Sequence, residues 1–275
     1  MDLSRYKEQG FVILKGLFAA EEVAHIHAEA KQLFAMQMLR HRLLPPGDVS
    51  ETEFNAAMFQ LFELDLPAFM SCGKQAQHLI SLHRLSLDHR IEALLKELGL
   101  SFPNIGMRPL LSFHHPRLAQ NEVFWRLPPH QDWRVTQGSL DSVAVWLPLV
   151  DIDKNLGALE IAPGSHRWGL LPGGHVDSDD YILPEVDPSS LLSVEMKRGD
   201  ALFFSTLLVH RSGNNVTESI RWSCHFRYNN LLEKTFINRG YPHPFSYKPQ
   251  RDLITASFPS TVEVDDIFNN SESEE

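Results

Sequence analysis

The stretch SVAVWLPLVDIDKNLGALEIAPGSH, residues 142–166, reads as strand, turn, strand, turn, and it decides the fold class. Ser142 to Val150 is rich in the β-branched and large apolar residues that fit a pleated, packed surface. Asp153-Lys154-Asn155 supplies turn residues, Ala158 to Ile161 is a second short strand, and Pro163-Gly164-Ser165 is a second turn. The rhythm runs outward in both directions. Candidate strands lie at Gly106 to Phe113, Leu192 to Met196, Ala201 to Phe204 and Trp222 to Tyr228, with turns at Arg198-Gly199-Asp200 and Gly213-Asn214-Asn215. Short strands at this spacing predict a sandwich or jelly roll.

Before Gly99 the period changes to helical. Val23, Ile26, Ala30 and Leu33 mark an amphipathic helix from Ala20 to about Leu44. Ser50-Glu51-Thr52-Glu53 is a capping box that starts a second helix burying Phe54, Met58 and Leu61. A third runs from Ser86 or Asp88 to Leu98, with Ile91, Leu94, Leu95 and Leu98 on one face and Gly99 as its C-terminal cap. No repeat and no Gly/Ser linker divides the chain, so one domain is expected over 1–275: a mostly helical flank at 1–100, the β core at 101–230, and a C-terminal extension at 231–275. Residues 165–190 are too polar and too broken by Pro and Gly to predict regular structure, which marks a long loop.

With 43% hydrophobic and 22% charged residues the chain can bury a sizeable core. A net charge of -10 argues against nucleic acid or an anionic membrane as partner, and leaves a small molecule as the expected one. Cys72 and Cys224 stand in no CxxC or Cys/His cluster, which fits a reducing cytosol. The opening MDLSRYKEQGFVILKGLF has no signal-peptide pattern, no run of about 18 apolar residues occurs, and the closing NNSESEE is a polar acidic tail without a peroxisomal SKL address. Cytoplasm is therefore the expected compartment; nothing in the sequence sets the oligomeric state.

PPHQDW, residues 128–133, carries the chemistry. In an extended chain His130 and Asp132 project to one side, so an imidazole nitrogen and a carboxylate oxygen can bind one metal. His210, at the end of the apolar run in STLLVHRSGNN, offers a third ligand. Two histidines and a carboxylate form the facial triad of non-haem Fe(II) oxygenases, which leaves three coordination positions open. Arg221 follows His210 by 11 residues (221 minus 210) across a Gly-Asn-Asn turn, so a hairpin brings its guanidinium and the Ser212 hydroxyl towards the metal. That pair suits the distal carboxylate of a 2-oxoacid, whose other end would take two of the open positions, with O2 in the third.

The chain resembles the phytanoyl-CoA dioxygenase-like branch of the Fe(II)/2-oxoglutarate-dependent oxygenases. The resemblance runs in order through YKEQGFVILKGLF, HQDW, SVAVWLPLVDIDKNLGALEIAPGSH, KRGDALFF, VHRSGNN and RWSCHFRYN, covering most of positions 6 to 230. It implies a double-stranded β-helix (a cupin-like jelly roll) with flanking N-terminal helices. It also implies Fe(II), 2-oxoglutarate and O2 as cofactors, with His130, Asp132 and His210 as iron ligands and Arg221 with Ser212 as the 2-oxoglutarate carboxylate site. Gln131 and Trp146 match positions that line the cosubstrate pocket in that family. One variant of the fold replaces the triad aspartate by a small residue so that chloride binds the iron; Asp132 is present, so a hydroxylase is expected rather than a halogenase. The substrate side matches no pattern, and no dense basic cluster stands ready for the phosphates of an acyl-CoA.

Each residue also has a bland account. Among 14 histidines an HxD pair arises easily by chance, and the ordered conjunction with His210 and Arg221 is what raises it. His114 and His115 read as solvated, His25 and His27 as the polar side of a helix, and His166 as part of a turn. Cys224 reads as a small buried hydrophobe, and Arg108 as either a cosubstrate neighbour or a strand-edge charge. Two other functions fit the fold: a non-catalytic jelly-roll binding protein, and a cupin-like metal enzyme that does not use 2-oxoglutarate.

Overall fold

The computed structural model describes residues 3–242 apart from 46, 121–124, 172–173, 177–178 and 183–185. The elements in order are α1 (Leu3–Gln9), β1 (Phe11–Leu14), α2 (Ala20–Arg40), α3 (Glu51–Leu64), α4 (Leu66–Ala76), α5 (Ile80–Ser86), α6 (His89–Glu97) and β2 (Pro103–His114). There follow α7 (Trp133–Thr136), β3 (Val143–Pro148), β4 (Leu159–Ile161), β5 (Gly174–Val176), β6 (Asp179–Ile182), β7 (Leu192–Val194), β8 (Ala201–Ser205), β9 (His210–Arg211), β10 (Arg221–Asn230) and α8 (Lys234–Asn238). The chain divides into two compact units, Met1–Pro244 and Phe245–Glu275, and the second lies outside the described residues.

A five-stranded antiparallel sheet in the order β1-β8-β3-β10-β2 faces a three-stranded sheet, β7-β4-β9, to make the jelly roll. Side-chain alternation then splits β3 and β10 between two cores. Val143, Val145 and Leu147 of β3 join Trp222, Cys224, Phe226 and Tyr228 of β10 on the outer face, where α2 to α6 cover them with Ile26, Phe34, Phe54, Met58 and Leu95. Ala144 and Trp146 turn inward, where they meet Leu159 and Ile161 of β4, Val194 of β7 and Phe204 of β8. Fully burying a side chain of this size is worth about 1.5–3 kcal/mol, so the helical layer is what holds the outer face of the large sheet.

The predicted helix starts hold in detail. Ser50 accepts from the Glu53 backbone N–H while the Glu53 carboxylate accepts from the Ser50 N–H, and Asp88 caps α6 by accepting from the Arg90 N–H. Gly99 adopts φ +107°, the left-handed conformation a C-terminal cap requires. Four elements of the first hundred residues carry no strong periodic signal and are additions: α1, α4, α5, and β1, which pairs with β8 and puts FVIL into the main sheet. Residues 165–190 are more regular than their composition suggests. Gly174 pairs with Ile182 and Val176 with Asp179.

Strand β2 is the sheet's edge, and two features tame it. Between Met107 and Leu110 it places two residues, Arg108 and Pro109, against one of β10, and between Ile105 and Met107 it places Gly106 against none, with Pro109 lacking an N–H inside the first bulge. On its open side the Gln77 side chain substitutes for a neighbouring strand: its Nε2 donates to Leu111 O at 2.7 Å and its Oε1 accepts from Leu111 N at 2.8 Å.

Candidate metal and oxoacid site

His130 and His210 are brought together by backbone, not by a turn. They form an isolated antiparallel bridge, His130 N donating to His210 O at 2.9 Å and His210 N to His130 O at 3.1 Å, and their ring centroids lie 4.1 Å apart. The expected extended HxD is corrected here. Asp132 has φ -56° and ψ -33° and stands at the start of α7, where Val135 N and Thr136 N donate to its carbonyl. A strand-to-helix switch, rather than period-two alternation, therefore swings the carboxylate beside the imidazoles. Its Oδ1 lies 3.6 Å from His130 Nε2 and 3.8 Å from His210 Nε2, and all three side chains are buried.

Hydrogen bonding sets the tautomers. His130 Nδ1 lies 2.8 Å from Pro128 O, and His210 Nδ1 lies 3.0 Å from Leu208 O. A carbonyl can only accept, so each Nδ1 donates and Nε2 is the nitrogen left for a metal. Burial, and after it the neighbouring His130, pushes the His210 imidazole down to about 3, so it stays neutral at physiological pH. Burial alone raises a carboxyl group, yet the Arg227 guanidinium and the two histidines hold Asp132 well below the usual carboxylate range. One carboxylate oxygen and two imidazole nitrogens, within 4.8 Å of one another, match the donor set of a divalent first-row metal.

His130 and His210 line a cavity of about 300 Å³ whose wall also carries Arg221, while Asp132 is not among its lining residues. The inner face of β10 supplies Arg221, Ser223, His225 and Arg227 at successive alternate positions, and all four line the cavity. Arg221 is 3% exposed; its Nη1 donates to Gly157 O, its Nη2 donates to His114 Nδ1, and Ser212 Oγ stands 3.5 Å from Nη2. Its Nε is buried with no hydrogen-bond partner, and burial pushes the guanidinium down to about 10. A buried cation with an unused donor on a cavity wall is a receptor for an anion.

Of the residues singled out from sequence, His130, His210, Ser212, Arg221 and Trp146 line this cavity. Gln131 does not: its amide nitrogen donates to Gly169 O and Leu207 O and its carbonyl accepts from Leu171 N, which fastens the 169–171 segment beneath the metal-binding end. Three histidines are corrected from solvated to packed. His114 accepts from Arg221, His115 packs its ring 4.5 Å from Phe59 with Nε2 near Thr217 O, and His27 is buried 5.1 Å from the Trp222 ring. Arg108 is exposed and lies outside the cavity, on a larger apolar one of about 570 Å³ that meets it at Ser112 and His114. Cys224 is fully buried, as expected.

Sequence reasoning missed Arg227, His225 and His114. The alternation in RWSCHFRYNN could have exposed the first two, since its polar members 221, 223, 225 and 227 share one face and its apolar members the other. Arg227 donates from Nε to Asp132 Oδ2 at 2.8 Å and from Nη2 to Asp132 Oδ1 at 2.9 Å.

Residues 6–223 match the family model described as "Phytanoyl-CoA dioxygenase (PhyH)". The chain is 29% identical over 234 residues to the peroxisomal phytanoyl-CoA dioxygenase of Mus musculus, covering 80% of this chain and 66% of that protein, so it spans just under two thirds of that relative's length. Among solved structures it is similar to the epimerase SnoN in complex with Fe3+, alpha ketoglutarate and nogalamycin RO (TM-score 0.55, 22% identity, 83% of this chain and 82% of that one). It is also similar to the apo form of the non-heme monooxygenase ThoJ (TM-score 0.55, 20% identity, 83% and 77%). At these identities the structural likeness establishes the jelly-roll fold. Among the described residues no helix is long and apolar enough to cross a membrane.

Proposed function

From a chain that belongs to the phytanoyl-CoA dioxygenase (PhyH) family, we propose an Fe(II)- and 2-oxoglutarate-dependent oxygenase that hydroxylates an unactivated C–H bond of a small molecule. The reaction consumes one O2 and one 2-oxoglutarate; one oxygen atom enters the product as hydroxyl, and the other enters succinate as CO2 leaves. The observation that carries the proposal is a cavity lined by His130 and His210, which stand with Asp132 as one ligand cluster, and by a buried, under-bonded arginine, Arg221.

His130, Asp132 and His210 would hold the iron, which supplies the activation of O2 that no side chain can perform. The Pro128 and Leu208 carbonyls hold the Nδ1 atoms of His130 and His210 as donors, which orients both rings with Nε2 as the nitrogen left for a metal. Asp132 contributes the negative charge that offsets a dication. Arg221 and Ser212 bind the distal carboxylate of 2-oxoglutarate, and His114, by accepting from Nη2, aims the fork. Trp146, Leu159 and Phe204 line the cavity with apolar surface that keeps water from the reacting centre.

The test is anaerobic addition of Fe(II) and 2-oxoglutarate to purified apoprotein, followed by its visible spectrum. A metal-to-ligand charge-transfer band in wild type and none in His210→Ala is the expected result. Iron-loaded, folded protein without the band would rule out the cosubstrate and leave a different metal chemistry. Succinate release and product mass, in a substrate screen, then distinguish hydroxylation from other oxidations.

A further inference from the structure

We infer that Arg227 is a positioning residue that limits Asp132 to one bond with the metal and so keeps three positions on the ion open. The inference rests on the metal-site proposal above and assigns a task to a residue that coordinates nothing.

The two carboxylate oxygens of Asp132 are not equivalent. Oδ1 faces the imidazoles at 3.6 and 3.8 Å, and it also accepts from Arg227 Nη2 at 2.9 Å. Oδ2 accepts from Arg227 Nε at 2.8 Å. The planar fork therefore fixes the plane of the carboxylate as well as its position. Oδ1 keeps a lone pair towards the histidines, whereas Oδ2 is held on the arginine side. Turning Oδ2 to the metal would break a charge-assisted bond between side chains only 10% and 6% exposed.

The fold holds the fork in place independently of any metal. Arg227 sits on β10 opposite Ala144 of β3, whose small side chain leaves room for the guanidinium, and this pairing runs in unbroken register from Ser223 to Tyr228. On the other side Nη1 lies 3.3 Å from Met107 Sδ, at the residue between the two bulges of β2.

The count of open positions makes this matter. An octahedral ion bound through one atom each by three residues has three positions left, enough for a chelating oxoacid and one further ligand. If Asp132 chelated, two would remain and the oxoacid would fill them.

Water-proton relaxation of Mn(II)-loaded protein, without 2-oxoglutarate, counts the waters bound to the metal. Wild type is expected to hold three and Arg227→Met two, because release of Oδ2 lets Asp132 chelate. An arginine that merely balanced charge or packed the core would change the melting temperature and the metal affinity but leave the water count at three, and that result overturns the inference. Should Arg227→Met fail to fold, a Mn(II)-loaded crystal structure of wild type decides: Oδ2 still on Arg227 Nε supports the clamp, and Oδ2 on the metal overturns it. Wild-type protein that binds no Mn(II) would overturn the metal site itself, a result separate from an altered or unaltered water count.

Discussion

Replacing Arg221 by Met should abolish useful 2-oxoglutarate binding while leaving the metal in place. The guanidinium has five N–H donors, and the structure commits three of them, to Gly157 O, His114 Nδ1 and Ser212 Oγ, so five minus three leaves two for an incoming carboxylate. Hydrogen bonds to charged groups are worth about 1.5–3 kcal/mol each, and two of them give about 3–6 kcal/mol. The ligand's carboxylate keeps some hydration in the variant, so the lower half of that range is the better guide. About 3–4 kcal/mol weakens binding roughly 10²–10³-fold. Arg221→Lys restores a point charge without the fork and should recover part of the loss. Anaerobic titration of the iron-loaded protein with 2-oxoglutarate measures both variants, and direct metal titration serves as the control, since Arg221 has no hydrogen bond to His130, Asp132 or His210. In wild type the affinity should be flat through neutral pH and fall as pH rises through about 10, where the buried guanidinium loses its proton. Binding in Arg221→Met within fivefold of wild type, with metal retained, would refute the reasoning.

His27 gives a stability prediction with a defined sign. Burial pushes its imidazole down to about 4, and its Nε2 has no hydrogen-bond partner. As pH falls through about 6.5 the unfolded chain takes up the proton first, so this residue withdraws about 1.4 kcal/mol per pH unit until about pH 4. In His27→Phe, the loss of unfolding free energy between pH 7 and pH 5 should be smaller than in wild type by about 2 kcal/mol, read from urea unfolding at both pH values; an unchanged difference would mean the ring is solvated or already charged. Gln77→Ala should uncap the edge of β2, costing about 1–2 kcal/mol for the paired bonds to Leu111 and raising aggregation on heating, while the 2-oxoglutarate affinity stays the same; thermal melting with light scattering, beside the anaerobic titration, checks all three.

What the sequence made legible was what short-range chemistry dictates. Ser50 and Glu53 are three residues apart and cap each other wherever the rest of the chain goes, and six candidate strands stand where β-rich runs between turn residues put them. The pairing of His130 with His210 spans 80 residues (210 minus 130) and depends on a backbone bridge that no local pattern encodes. Ordered motifs could point to the two histidines, but the reason offered for Asp132, an extended chain, was the wrong mechanism for the right neighbourhood. The histidines at 27, 114 and 115 misled for a related cause. Composition counts imidazole as polar, while a ring packed against Trp222 or Phe59, or accepting from Arg221, is decided by tertiary neighbours. Strand β1 escaped because four residues beside a glycine give too short a period, and its partner strand lies far along the chain, Phe11 pairing with Phe204.

Strand β10 joins these two scales, because its site residues and its core residues are the same ten-residue run read with opposite parity. A slip of one residue would turn Trp222, Cys224 and Phe226 into the cavity and expose Arg221, His225 and Arg227 to the apolar layer under α2 to α6. Burying three unpaired polar groups, two of them charged, in that layer costs far more than any hydrogen bond the slipped ladder could regain. The outer apolar residues thus fix the register, and the register in turn sets Arg227 against Asp132 and Arg221 against His114. The helical layer that covers Trp222 and Phe226 is therefore part of what builds the site, although none of the residues of α2 to α6 lines the cavity.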